Sequence, residues 1–179
     1  MDTQVNPTLQ PTTRSVGVRF GLIAALISIV YFLVLNVSGI DMTKGFWNLV
    51  GYAITLALVL LAQKQFKDKG DGYMSYGQGV GIAFWMGLIS AVISSIFTYI
   101  YIKFVDTGFI DLVKERQIEA MQEKGLTDEQ IDQGMQMASL FMTPEAMLIF
   151  MLIGGVLVSL IIGLIVTIFT QKKNPEPAF

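Results

Sequence analysis

The chain has 179 residues, 53% of them hydrophobic, with a mean hydropathy of +0.60 and a formal net charge of −2. It contains no cysteine and no histidine, which excludes disulfides, thiolate chemistry, Cys/His metal sites and Ser-His-Asp or Cys-His catalysis. Its charges are unevenly placed: residues 20–40, 45–63, 72–102 and 146–171 carry no Asp, Glu, Lys or Arg.

A helix of a soluble bundle shows charge on its outer face every few residues. The four stretches are 21, 19, 31 and 26 residues long and uncharged all round. About 20 apolar residues cross the ~30 Å hydrocarbon core of a bilayer, so each stretch is long enough, and a chain this short cannot bury four such helices on every side. The expected fold class is an all-α integral membrane protein with four transmembrane helices and an amphipathic helical hairpin between helices 3 and 4. One membrane domain, residues 14–173, is expected between two tails.

Residues 1–13, with Pro7 and Pro11, read as an extended tail. The first span is expected at about 16–38. Arg14 and Arg19 resemble the basic region of a signal peptide, but the apolar run is too long and no small-x-small cleavage site stands out before Asp41, so the span is retained. Gly39 and the short Asp41–Lys44 link then return the second span, about 46–63, antiparallel beside it. Lys64–Gly72 reads as a basic turn. The third span, about 79–102, has Tyr73, Tyr76, Tyr99 and Tyr101 at its two interfaces.

Residues 105–143 form the one sizeable extramembrane piece. A helix from about Phe109 ends at Gly125, and Thr127-Asp128-Glu129-Gln130 fits a capping box that starts another. Ile131, Met135, Ala138 and Met142 then share one helix face, the candidate partner face. Thr143-Pro144-Glu145 opens the fourth span, about 146–170, with Thr as cap, Pro at the first position and Glu near the positive dipole end. Residues 174–179 are a C-terminal tail.

Seven basic residues (Arg14, Arg19, Lys64, Lys67, Lys69, Lys172 and Lys173) fall on one side of the membrane, on short segments. Lys44, Lys103, Lys114, Arg116 and Lys124 fall on the other, mostly within a longer loop. The positive-inside rule places the first set, and with it both termini, in the cytoplasm. Loop 105–143 then faces outward with eight acids against three bases.

Small residues recur every fourth position in three spans: Gly17, Gly21 and Ala25; Gly79, Ala83, Gly87, Ala91 and Ser95; Gly155, Ser159, Gly163 and Thr167. In lipid no hydrophobic force drives helices together, and close backbone approach along such grooves supplies the packing. They are expected to pack within the chain or to form a homodimer seam. No ionisable residue lies deep in a span, which disfavours an ion- or proton-coupled transporter; Lys103 and Glu145, at span edges on one side, are placed to pair. The polar groups within spans (Ser28, Asn36, Asn48, Thr55, Ser90, Ser94 and Thr98) are mild, and most lie near ends or bond their own helix. Six of ten methionines lie in and beside the outer loop; without His or Cys they read as an adaptable apolar face rather than a Cu(I) site. Gly77-Gln78-Gly79-Val80-Gly81 lacks the strand and further Gly of a dinucleotide fingerprint.

Several short runs, in order, resemble the bacterial family catalogued as domain of unknown function 4199. They are Asn6-Pro7-Thr8-Leu9, Met74-Ser75-Tyr76-Gly77-Gln78, Tyr99 to Asp106 with Phe109-Ile110-Asp111, Gly125 to Ile131, and the Gly-rich fourth span. Where members often have Pro after the Asp, Thr107 stands here. The resemblance implies a bacterial inner-membrane protein with four helices, and no activity or functional residues.

The expectation for function is therefore a non-enzymatic, multi-pass membrane protein with no cofactor and no nucleic-acid partner. It would act in the lipid bilayer by association, as a homo-oligomer or with a membrane-protein partner met through the outer helices. The alternative is a small transporter or binder of apolar molecules, lipid or quinone-like, held between the spans.

Overall fold

The computed structural model describes residues 11–40 and 45–175; Asn6-Pro7-Thr8-Leu9, the Asp41–Lys44 link and residues 176–179 lie outside them. The described residues form α1 (Thr13–Val37), α2 (Gly45–Lys69), α3 (Tyr76–Ile100), a π turn (Tyr101–Val105), α4 (Phe109–Glu123), α5 (Asp128–Ser139) and α6 (Pro144–Thr170). Four of these helices are long and apolar enough to cross a membrane: α1, α2, α3 extended by the π turn, and α6.

Helix starts follow local side-chain chemistry. Thr12, Ser75 and Thr127 each accept a hydrogen bond from the backbone three residues on, and Ser15, Gln78 and Gln130 return the bond to the cap amide. Thr143 caps α6 with Pro144 at its first position. Gly125, at φ +75, ends α4 in the left-handed region that favours glycine. The Thr12 and Ser75 boxes start α1 and α3 about one turn before the apolar runs that were expected to define them.

The second helix departs from expectation. Lys64–Gly72 is not a turn throughout, because α2 continues through Lys69 and turns only at Gly70-Asp71-Gly72. Lys and Gln are good helix formers, and Lys67 and Lys69 sit favourably in the last turn of the helix dipole. Charge ends the apolar run but not the helix.

Neighbours in space are not neighbours in sequence. α3 is central, with α1 on one face and α6 on the other, and α1 packs mainly on α3 rather than on α2. A Cβ added at Gly17 or Gly21 would come within 2.9 Å of the Ile82 or Met86 carbonyl oxygen, so the parallel α1 and α3 approach to a distance that only glycine allows. α3 and α6 close in one antiparallel register: Gly79 meets Thr167, Gly87 meets Ser159, and Gly155 and Gly163 meet Ala91 and Ala83.

The buried core lies toward the basic end of the bundle. Val16, Phe20 and Ala24 of α1 meet Leu58, Val59, Ala62 and Phe66 of α2, with Ile82, Met86 and Val166 beside them. The ends at this level are tied together. Met74 and Lys172 exchange two backbone hydrogen bonds of 2.9 Å, and Lys67 Nζ donates to the Thr170 carbonyl at 2.8 Å. All buried residues of α2 fall in its second half, from Leu58 on; none of residues 45–57 is buried.

Candidate functional site

The unburied first half of α2 borders a cavity of about 520 Å³ lined by α1, α2, α3 and α6. Its position follows from the packing grooves. Continuing the α3–α6 register one step past Ala91 and Gly155 sets Ser95 opposite Met151, and both line the cavity. A methionine where the groove needs a small residue stops the two helices closing further. On α1 the small residues likewise give way to Ile27, Tyr31 and Phe32, all in the wall.

The wall is apolar with a set of neutral polar groups. Ser28, Tyr31, Asn48, Tyr52, Thr55, Ser90, Ser94 and Thr98 all line it. Six of the seven mildly polar residues noted in the spans thus converge here; Asn36 is the exception. Thr55 donates to the Gly51 carbonyl at 3.0 Å and Ser94 to that of Ser90, so these hydroxyls spend their protons on their own helices and keep oxygen lone pairs to accept. Tyr31 donates to the Trp47 carbonyl at 2.8 Å and links α1 to α2 near the start of α2. Asn48 and Ser28 make no side-chain hydrogen bond to another described residue.

Below the cavity a polar clasp joins three helices. Gln63 is fully buried; its Nε2 donates to the Gly79 carbonyl at 3.2 Å and to Thr167 Oγ1 at 2.8 Å, while Thr170 donates to its Oε1. Ser159 adds a bond across the groove, to the Ala83 carbonyl at 2.8 Å. Sequence reasoning left Gln63 as a span end and missed it. The available signal was its register: Val59, Gln63 and Phe66 lie on one helix face, so an amide there points into the bundle.

At the end of the bundle opposite the basic one, Lys103 Nζ reaches Glu145 Oε1 at 2.8 Å and Tyr99 Oη at 2.7 Å, tying the end of α3 to the start of α6. Both charged side chains are well exposed, so the pair orients more than it stabilises. The Asn36 amide donates to Tyr101 Oη and Asp106 Oδ2, each at 3.1 Å, which anchors the π turn on α1. Arg116 of α4 donates to the Gly39 and Ile40 carbonyls at 3.1 Å, where a cation suits the C-terminal end of α1. Among the described residues no three of His, Cys, Asp and Glu are grouped to hold a metal.

The expected grooves are filled from within the chain. Gly17 and Gly21 face α3, Ala25 is fully buried, Gly79 and Gly87 face α6 as Gly155 and Gly163 face α3, and Ser95 and Ser159 are buried. The expected partner face is also partly taken. Ile131 is buried, Met135, Ala138 and Met142 are half-buried, and a Cβ at Gly134 would meet the Met121 methyl at 3.0 Å, so this face turns to α4. Periodicity alone marks it as a partner face. The neighbour that takes part of it is α4, whose half-buried positions include Lys114, Arg116 and Gln117 and so do not read as an apolar face.

Comparison with curated proteins finds no match, and comparison with solved structures finds none either. The chain belongs to the family described as "Protein of unknown function (DUF4199)", which matches residues 19–170 and so takes in most of α1 and everything through α6.

Proposed function

We propose that the chain is a non-enzymatic membrane protein that holds a small, largely apolar molecule with a polar end in the cavity between its spans. The observation that carries this is the convergence of neutral hydroxyl and amide groups from all four spans on one apolar space of about 520 Å³. Ligand sites typically have 300–1,000 Å³ and an apolar wall with a few placed polar groups. Unspent acceptors on Thr55 and Ser94, and an Asn48 amide free to donate, suit a hydroxyl or carbonyl headgroup such as that of a lipid or quinone-like molecule. Among the described residues no charged one lines the space, so a strongly ionic cargo is disfavoured.

The way in is through α2. The Gln63 clasp holds its second half, while its first half has no buried residue and one side-chain bond, from Tyr31, holding its outer end. Displacing that half opens the cavity sideways to lipid. Homo-oligomerisation through the glycine grooves is the weaker reading, because those faces are already occupied. The two helices between α3 and α6 complete the fold as an amphipathic hairpin, on the outer side.

Ser94→Trp tests the ligand directly. Purified in mild detergent, the native protein is expected to carry a small molecule at near-stoichiometric amount by mass spectrometry. The variant, with the cavity filled, is expected to lose it without a lower unfolding temperature. Equal retention by both proteins, or no bound molecule in the native one, refutes the proposal.

The membrane we assign is the bacterial inner membrane, with both termini cytoplasmic. Reporter fusions after Phe179 and within Lys64–Gly72 should read cytoplasmic, and one at Gly125 periplasmic. A cytoplasmic signal at Gly125 inverts the orientation.

A further inference from the structure

The last turn of α5 and the bend into α6 leave Met137, Leu140 and Phe141 exposed, each large and apolar. They do not belong to the face that α5 turns to α4. They appear only at the end of the helix, where no charged residue occurs between Asp132 and Glu145. The acids of α5 are confined to its start, at Asp128, Glu129 and Asp132. The helix is therefore divided along its length as well as around it, with a charged first half and an uncharged end.

What covers this end is indicated by its contact with α6. The Phe141 ring packs edge-on against Phe150, with centroids 5.5 Å apart. Phe150 is six residues beyond Pro144, about 9 Å along the helix axis, so the bend dips past the start of the span instead of standing above it. Phe150, Ile153, Leu157 and Ile161 are exposed along one face of α6, the most apolar of the candidate spans. Such a face meets lipid, and Phe141 continues it upward without a polar break.

We infer that the C-terminal turn of α5, carrying Met137, Leu140 and Phe141, inserts into the lipid leaflet at the outer end of the bundle. The occupant of this surface is lipid acyl chain rather than a second protein. The acidic first half of α5 remains in water, because the helix enters the leaflet end first and not along its side. An amphipathic segment placed this way sits at the headgroup–acyl boundary. It would fix the depth of the outer helices beside the Lys103–Glu145 pair. The inference is independent of the cavity and stands if no ligand binds there.

The absence of cysteine makes the test clean, since a single introduced thiol is the one labelling site. The full chain is reconstituted in phosphatidylcholine nanodiscs as Leu140→Cys, Met137→Cys or Gln133→Cys, each carrying an environment-sensitive fluorophore. Gln133 and Leu140 lie seven residues apart on one side of the helix, about 10 Å in depth. At 140 and 137 the label is expected to be quenched several-fold more by a nitroxide on the upper acyl chain than by a water-soluble quencher. At 133 the order should reverse. Aqueous quenching at 137 and 140 as strong as at 133 overturns the insertion. Protection from both quenchers also overturns it, because protein, a second copy included, would then cover the site. All three positions are exposed, and unfolding midpoints close to that of the native chain would show that the substitutions left the fold intact.

Discussion

Gly87→Leu is expected to lower the stability of the purified protein sharply, with a fall of many degrees in the unfolding temperature in detergent. A Cβ at position 87 would fall on Cβ of Ser159, whose own hydroxyl is engaged with the Ala83 carbonyl. Overpacking a well-filled core typically costs about 1–3 kcal/mol. Here the obstacle is the base of a side chain on a facing helix, which cannot swing aside, so the effect should lie at or above the upper end. Val92→Leu, on a half-buried position off the groove, should be mild. A compensating pair makes the register itself testable. Gly87→Ala should destabilise, and adding Ser159→Gly should restore part of the loss by removing the atoms it strikes. Contacting residues are expected to be non-additive in this way. Equal tolerance of Leu at 87 and 92 would mean that α3 and α6 do not meet along this groove.

The facing of small residues explains how far the chain could be read from its sequence. Four long uncharged stretches predicted four spans, because the cost of placing charge in hydrocarbon is a property of composition alone. Capping at Thr127 and Thr143, the stop at Gly125 and the pairing of Lys103 with Glu145 were also legible, since each depends on nearby residues or on matched span ends. The length of α2 was not. Hydropathy marks where an apolar run ends, and a helix can continue past it, as it does from Lys64 to Lys69. Nor could periodicity say which groove meets which. Gly79, Ala83, Gly87 and Ala91 show that α3 has a close-packing face, but the partner is set by three-dimensional fit with Gly155, Ser159, Gly163 and Thr167. The cavity was least legible of all. Ser28, Asn48, Thr55, Ser90, Ser94 and Thr98 each look innocuous in their own helices, and they become a site only where four helices diverge around them.

Gln63→Glu is expected to be the most damaging single-atom change in the bundle, and to exceed Gln63→Leu. The amide is fully buried and bridges α2 to α3 and α6 through Gly79, Thr167 and Thr170. Side-chain hydrogen bonds between helices in membranes average about 0.6 kcal/mol, with a maximum near 1.7. Losing three of them in Gln63→Leu should cost on the order of 2 kcal/mol. That substitution strands no hydroxyl, because Thr167 still donates to the Gly163 carbonyl at 2.6 Å and Thr170 can turn its proton to that of Val166, 3.1 Å away. Glutamate keeps the size of the side chain but replaces the donor nitrogen with oxygen. A carboxylate there faces the Gly79 carbonyl oxygen, and either keeping a buried charge unpaired or protonating the group to avoid it costs free energy. The expected order in thermal unfolding is native above Gln63→Leu, and Gln63→Leu above Gln63→Glu. The same order should hold for retention of any molecule in the cavity, since α2 is held to the bundle mainly through this half. If leucine proved as harmful as glutamate, shape rather than hydrogen bonding would hold α2 in place, and the clasp would lose its role as the pivot of the moving arm.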